Sequence, residues 1–233
     1  MLINADFSQN VVVTPDDHHW ISSPQAGVER VMLDRIGAEK ARATSLVRYA
    51  PGSDFPEHSH PSGEEILVLS GVFSENGIDY PAGCYLRSPD GSSHQPSSRE
   101  GATLFVKLRQ MSADDRAWVR TNTHDRTLWQ GEPRRQFCPL YSSQSETVLL
   151  QKLADGEPLV QDHAASGAEV LILSGELTSA ATLYPTGSWL RFAPDAYPAL
   201  HASAADTLVY MKTGHLHPTT LVGVSSIEGL NSI

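Results

Sequence analysis

One segment of the chain occurs twice, and this duplication constrains the fold more than any other feature. The run LVRYAPGSDFPEHSHPSGEEILVLSG in the first half is echoed by LLQKLADGEPLVQDHAASGAEVLILSG in the second. The matched residues keep a constant offset of 104 positions (156 − 52), and they pair Gly52 with Gly156, Ser62 with Ser166, Gly63 with Gly167, Glu65 with Glu169 and Gly71 with Gly175. The register continues from YPAGCYLR to YPTGSWLR. An internal repeat of this kind predicts two tandem copies of one structural unit.

The composition of both copies favours β-structure. Short β-prone runs, such as EEILVLSG and TLFVKL in the first copy and EVLILSG and TLVYMK in the second, are bounded by turn-forming residues. The 17 glycines and 15 prolines favour many short strands over long helices. We therefore predict an all-β chain of two tandem barrels, with one domain at 1–115 and another at 116–233. The polar run SADDRAWVRTNTHD is the predicted linker, and its first part, SADDRAWV, the predicted short helical turn.

The first copy contains side chains that suit a metal ion. His58 and His60 are two residues apart, so they point to the same face of a strand. The turn PSG lets Glu64 return toward that face, and turn residues before His94 bring it in from a separate hairpin. Imidazole nitrogen and carboxylate oxygen suit zinc, iron, nickel, manganese or copper. The prediction is one metal site formed by His58, His60, Glu64 and His94.

The spacing of these residues resembles the paired motifs of the cupin superfamily. The first motif is glycine, five residues, HxH, three residues, glutamate, six residues and glycine, and the chain matches it from Gly52 to Gly71. The second is glycine, five residues, PxG, two residues and histidine, matched from Gly83 to His94. Ser98 stands where an asparagine is often found. The resemblance implies two cupin barrels, each a double-stranded β-helix or jelly roll, with a metal in the first.

The repeat register predicts that the second copy has lost the metal site. It aligns His58 with Asp162, His60 with Ala164, Glu64 with Ala168 and His94 with Ala199. A shifted site formed by His163, Glu169 and His201 is the alternative. His163 lies one residue out of register, and strand alternation would turn it to the opposite face, which disfavours the shifted site. His201 could still face inward.

The longer run from APGSDFPEHSH to GATLFVKLRQ is similar to the cupin-like domain of ChrR-type anti-sigma factors. The paired EE before an apolar strand, the VLSGVF turn and the closing GATLFVKL are typical of that domain. The resemblance covers most of residues 20 to 110 and implies a metal-binding sensory or regulatory module. In such proteins a separate N-terminal zinc domain, built on a His and Cys cluster, binds the sigma factor. Residues 1–50 contain only His18 and His19 of these two types, so we do not expect this chain to inhibit a sigma factor.

Net charge, hydropathy and cysteine content restrict the remaining classes of function. Seventeen Lys and Arg against 27 Asp and Glu give a net charge of −10, which argues against nucleic-acid binding. No apolar run has membrane length, and MLINADFSQN lacks the features of a signal peptide, so we expect no membrane association and a cytoplasmic location. Cys84 and Cys138 are too few for a disulfide framework.

Two classes of function stay open on the sequence. The first is a non-catalytic sensory or regulatory module that binds a small molecule in the first barrel and reports to a regulatory protein partner. The second is a metal-dependent enzyme, with a small-molecule dioxygenase as the leading case, because four protein ligands leave open positions on a five- or six-coordinate metal. A closed tetrahedral site favours zinc and the first class, with iron, nickel or manganese as alternatives. No general base is identifiable, since Glu65 should face away from the metal by alternation. The sequence leaves open whether the chain forms a homodimer.

Overall fold

The computed structural model describes residues 1–38, 40–160 and 166–217, which are almost entirely β-structure. The strands of the first half, in chain order, are β1 (Leu2–Ile3), β2 (Val11–Val13), β3 (Ile21–Ser22), β4 (Val28–Ile36), β5 (Arg42–Tyr49), β6 (Ser53–Asp54), β7 (His58–His60), β8 (Glu64–Glu75), β9 (Ile78–Pro81), β10 (Cys84–Ser88), β11 (Ser92–His94), β12 (Pro96–Ser98), β13 (Ala102–Leu108) and β14 (Val119–Asn122). Those of the second half are β15 (Gln130–Glu132), β16 (Arg135–Ser142), β17 (Thr147–Leu153), β18 (Ala168–Ser174), β19 (Glu176–Ser179), β20 (Thr182–Pro185), β21 (Trp189–Phe192), β22 (His201–Ala202) and β23 (Thr207–Thr213). The prediction of an all-β chain is confirmed.

Helix is confined, in the described ranges, to single 3-10 turns at Pro15–Asp17 and Arg126–Leu128. The helical turn expected in SADDRAWV is wrong, because that run contains only a hydrogen-bonded turn at residues 113–114 before β14 begins. None of the helices in the described part of the chain is long and apolar enough to cross a membrane.

The chain divides into two compact units. The first unit contains Met1–Ala5 and His19–His124, and the second contains Asp6–His18 and the described residues from Asp125 onward. The domain bounds inferred from the sequence repeat, 1–115 and 116–233, stay a prediction. The strand pairing of the described residues gives open sheets, so the two tandem closed barrels also stay a prediction.

The first unit is built on an antiparallel sheet with the strand order β1-β4-β5-β13-β8-β10-β14. A separate two-stranded sheet pairs β7 with β11, while the small strands β9 and β12 pair with β8 and β6 pairs with β12. Alternate residues of the long strands face inward, as a half-buried sheet requires. The inward apolar side chains form a buried core of Ile66, Val68, Phe73, Cys84, Leu86, Ala102, Leu104 and Val106. This core supports the sheet that contains Glu64, whereas the three histidines of the predicted metal site lie on β7 and β11.

The second unit repeats this order with the strands β15-β16-β17-β23-β18-β21-β2. Its core contains Leu153, Leu159, Val170, Ile172, Leu190, Val209 and Met211 among others. The last position of the sheet is filled by β2, in which Val11 pairs with Arg191. In the first unit β14 fills the same position, and there Val119 pairs with Arg87. The linker prediction is therefore wrong for Val119–Asn122, since these residues form a strand of the first sheet.

Candidate metal centre

Two short strands bring three histidines together. In β7 and β11 the pairing is antiparallel, with His94 opposite His58 and Ser92 opposite His60. Their facing imidazole nitrogens form one group, in which the atoms available to a metal lie within 4.8 Å of one another. The ring centroids of His60 and His94 are 4.5 Å apart, and those of His58 and His94 are 5.0 Å apart. The structure therefore contains a three-histidine cluster that could hold a metal ion.

The turn between β7 and β8 returns the chain to this cluster. Ser62 and Gly63 both have positive φ angles, of 56° and 74°, and the Gly63 amide donates to the His60 carbonyl at 3.1 Å. The Ser62 amide also donates to the Asp90 carboxylate at 2.6 Å. Strand β8 consequently begins at Glu64 beside the histidines. The Oε2 atom of Glu64 lies 3.4 Å from Nε2 of His60 and 3.6 Å from Nε2 of His94.

The hydrogen bonds of the imidazoles leave their Nε2 atoms facing the centre. His58 uses Nδ1 for a contact of 3.1 Å with the Pro56 carbonyl, and His94 uses Nδ1 for one of 2.8 Å with the Glu75 carboxylate. Histidine ligands of metals usually use their second ring nitrogen in this way, which fixes the ring orientation. The Nε2 atom of His60 is buried and has no hydrogen-bond partner in the described ranges. A buried polar atom without a partner is costly, and a bound cation would supply one.

Burial and neighbouring charges shift the pKa values of the cluster. Burial, with the charges of His94 and His58, lowers the pKa of His60 to about 3, so its ring is neutral and able to bind a metal near pH 7. Burial raises the pKa of Glu64 to about 7. The hydrogen bond to Glu75, together with the charge of Glu64, raises the pKa of His94 against its burial. The cluster thus disfavours several positive charges while placing a carboxylate next to three imidazoles.

The sequence reasoning missed two residues that support His94. Glu75 lies at the end of β8 and accepts from His94, while its other oxygen accepts from Nε of Arg120 at 2.8 Å. Arg120, on β14, also donates to the Arg87 carbonyl at 2.8 Å and to the Ser88 hydroxyl at 2.9 Å. The signal that could have indicated Glu75 is its position on the same strand as Glu64. Arg120 gave no such signal, because its run resembled a linker.

Glu65 and Cys84 lie away from the cluster. Glu65 accepts from the Tyr85 hydroxyl at 2.8 Å and pairs with Arg87 at 2.8 Å, so it does not point toward the histidines. Cys84 is buried in the core of the first unit, and this burial raises the pKa of its thiol. Both side chains have packing roles in the described structure.

The second unit has no metal-ligating cluster among its described residues. Ala168, which occupies the position of Glu64, is fully buried in the apolar core. Leu159 and Leu200 are joined by the same backbone hydrogen bond that joins Phe55 and Pro96. The offset between the two copies is therefore again 104 residues in this region. Pro198, rather than Ala199, occupies the position equivalent to that of His94.

The alternative shifted site receives no support from the described residues. The carboxylate of Glu169 is already bound by Trp189 at 2.7 Å and by His215 at 3.1 Å. His201 is exposed, so the expectation that it could face inward is wrong. Asp162, His163 and Ala164 lie outside the described residues.

A cavity of about 440 Å³ adjoins the histidine cluster in the first unit. Its wall includes His58, His60 and Glu64. A small molecule in this cavity would therefore be within reach of a metal held by the cluster. A bound divalent metal would supply Lewis acidity at this point, while the side chains of the chain bind, orient and shield the small molecule.

Comparison with solved structures identifies the class of fold. A protein from Nostoc punctiforme described as a "putative dioxygenase" is 13% identical, with a TM-score of 0.70 over 91% of this chain and 86% of its own. The bacterial pirin YhhW from Escherichia coli, solved with nickel(II), is 14% identical, with a TM-score of 0.66 over 88% of this chain and 99% of its own. A cupin 2 conserved barrel domain protein from Leptotrichia buccalis is 14% identical, with a TM-score of 0.57 over 83% and 92%. The chain is thus an all-β protein of the cupin fold.

The first half of the chain also matches a family by its sequence. Residues 8–112 match the family described as the ChrR Cupin-like domain, so the resemblance predicted from the sequence is confirmed over this segment. The matched segment includes His58, His60, Glu64 and His94. None of the curated proteins matches the chain.

Proposed function

We propose that the chain binds one divalent transition metal through His58, His60, Glu64 and His94, and that the metal and the adjoining cavity bind a small molecule in a sensory or regulatory role. The observation that carries this proposal is the buried Nε2 of His60, which has no hydrogen-bond partner among the described residues and faces two other imidazoles and a carboxylate. A regulatory protein is the partner that would respond to the bound state. The match of residues 8–112 to the ChrR Cupin-like domain supports that choice of partner.

Zinc is the metal that we propose. Three imidazoles and one carboxylate can complete a tetrahedral shell, the arrangement that zinc adopts in closed structural sites. The donor set also suits iron, nickel and manganese, and the pirin structure contains nickel. The same closed shell favours a sensory role over a catalytic one, because catalytic zinc keeps a position for an exchangeable water.

Metal analysis of purified protein tests the proposal directly. We expect about one metal ion per chain in the unaltered protein and loss of most of it in His60→Ala, because the substitution removes a buried imidazole nitrogen that faces the cluster. His201→Ala is the matched control, since this exposed histidine lies in the second unit. A stoichiometry near one in His60→Ala, or in a variant lacking all four residues, would show that the assignment is wrong.

A metal-dependent dioxygenase is the second candidate function. The observation that favours it is the position of the cluster in the wall of a cavity large enough for a small substrate. Oxygen consumption by the iron-loaded protein with diketone or thiol substrates would distinguish the two. Uptake that depends on both substrate and metal, and that is absent in His60→Ala, supports the enzyme; its absence across the substrates supports the sensory role.

A further inference from the structure

The cavity beside the histidines combines apolar walls with positive charge. Its apolar lining includes Val28, Val47, Ile66, Leu104 and Val106. Besides the imidazoles, its charged lining residues are Arg30, Arg35, Arg109 and Glu64. Three guanidinium groups against one carboxylate make this cavity cationic in a chain whose net charge is −10. Composition therefore does not account for the charge of the cavity.

A β-bulge places two of these arginines on the same face. The pairing of β4 with β5 shifts by one residue between Met32 and Asp34. Arg30 therefore lies opposite Val47 and Arg35 opposite Ala43, and both partners line the cavity. Without the extra residue, side chains five positions apart would point to opposite faces of the strand. The bulge thus brings both guanidinium groups into the cavity.

Neither arginine has an acidic partner in the described part of the chain. Nη2 of Arg30 donates to the Ser23 hydroxyl, and Nη2 of Arg35 donates to the Ala38 carbonyl. Arg35 is only 6% exposed. Both guanidinium groups line the same cavity, burial lowers the pKa of both, and the charge of Arg30 lowers that of Arg35 further. A buried charge without a counter-ion is costly, and an anion between the two groups would offset this cost.

The second unit provides an internal comparison. It keeps the bulge, between Pro139 and Tyr141 in β16. In its strand pairing, Phe137 lies opposite Gln151 and Ser142 lies opposite Thr147. Phe137 and Ser142 therefore occupy the positions that Arg30 and Arg35 have in the first unit. The second unit thus lacks both arginines as well as the Glu64 carboxylate. Its own cavity, of about 300 Å³, has one arginine in its wall, Arg135, and that residue pairs with Glu157 at 3.2 Å.

We propose that the cavity of the first unit binds a carboxylate with an apolar body, whose carboxylate lies between Arg30 and Arg35 and whose body extends along the apolar wall toward the histidines. This inference rests on the proposed function, since it names the class of small molecule that the metal cavity takes. The guanidinium pair provides the charge-assisted hydrogen bonds that a planar carboxylate accepts. The apolar walls favour an organic acid over a fully hydrated inorganic anion.

Calorimetric titration of zinc-loaded protein tests this assignment with three probes. Phenylacetate has the predicted chemistry, phenylacetamide has the same body without the charge, and inorganic phosphate has charge without an apolar body. We expect phenylacetate to bind at least about tenfold more tightly than either of the others, since one lost charged contact corresponds to about that factor. Equal binding of phenylacetamide, or binding of phosphate without phenylacetate, would overturn the proposal.

Arginine variants locate the binding. Arg35→Gln and Arg30→Gln should each weaken phenylacetate binding by about tenfold or more. Arg48→Gln is the matched control, because Arg48 is half-exposed, faces the opposite side of β5 and pairs with Glu29 at 3.6 Å. Arg30 is only partly buried, so its variant keeps the test valid if Arg35→Gln fails to fold. Unchanged phenylacetate affinity in a folded Arg30→Gln or Arg35→Gln protein would overturn the assignment.

The same titrations separate this inference from the metal proposal. Zinc content near one per chain with no phenylacetate binding would overturn the carboxylate proposal alone. Phenylacetate binding that is lost in Arg30→Gln, in a protein that takes up no zinc, would support the arginine site and overturn the metal proposal alone. The His60→Ala variant extends the comparison, because its metal content should fall while Arg30 and Arg35 stay in place.

Discussion

Nδ1 of His94 lies 2.8 Å from Oε2 of Glu75, and Arg120 binds the other oxygen of the same carboxylate at 2.8 Å. These three side chains come from β11, β8 and β14, so the contact fixes three strands relative to one another. A carboxylate on the second nitrogen of a histidine ligand sets its tautomer and makes it a better donor to a metal. The orientation of His94 therefore depends on residues that do not face the centre.

Glu75→Gln should weaken metal binding without removing a proposed ligand. The neutral amide cannot stabilise the imidazole as a carboxylate does, and losses of such supporting contacts typically cost about 10- to 100-fold in metal affinity. Competition with a zinc-binding dye would measure the dissociation constant. Glu100→Gln is the control, since Glu100 is exposed. Equal affinities in Glu75→Gln and the unaltered protein would contradict a role for Glu75 in positioning His94.

Metal removal should destabilise the first unit more than the second. A ligand that binds only the folded state adds about 2.7 kcal/mol when its free concentration is 100 times its dissociation constant. The site joins β7, β8 and β11, so hydrogen exchange after chelation should increase most in these strands and less in β17 and β18. The His60→Ala protein should show no response to the chelator. Equal loss of protection in both units would count against a metal confined to the first.

Metal binding near neutral pH should release protons. With a pKa of about 7, Glu64 is roughly half protonated at pH 7 in the metal-free chain, and the pKa of His94 is also raised. A metal needs both groups without their protons, so metal affinity should fall as the pH decreases through 7. Calorimetry in two buffers of different ionisation enthalpy measures the protons released. Glu64→Gln should release fewer, and a binding enthalpy that is the same in both buffers would contradict the prediction.

The clustering of the four predicted ligands could be anticipated from the sequence because their spacing reflects local geometry. His58 and His60 share a face by strand alternation, and the turn at Ser62 and Gly63 determines where β8 begins. Glu75 and Arg120 could not be identified in this way, since their contact with His94 joins distant strands. Strand β14 was missed because its polar residues pair at the edge of a sheet, where no apolar pattern marks them.

The arginine pair shows a second limit of pattern reasoning. Alternation assigns Arg30 and Arg35 to opposite faces, and one extra residue in β4 reverses this result. Nothing in the local sequence from Met32 to Asp34 marks the bulge. The same shift in β16 shows that it belongs to the repeated unit, yet it becomes visible only through the strand pairing.

Gly71→Ala should destabilise the chain more than Gly77→Ala. Both glycines have left-handed backbones, with φ angles of 72° and 79°, so an alanine at either position costs about 1 kcal/mol for its conformation. A Cβ at Gly71 would lie 2.0 Å from the Gly101 carbonyl oxygen, whereas one at Gly77 would have nothing within 4 Å. Backbone atoms of the neighbouring strand cannot move aside cheaply, so Gly71→Ala should cost about 1–3 kcal/mol more. Urea unfolding of the two variants measures this difference, and equal midpoints would show that β8 and β13 do not need such a close approach at Gly71.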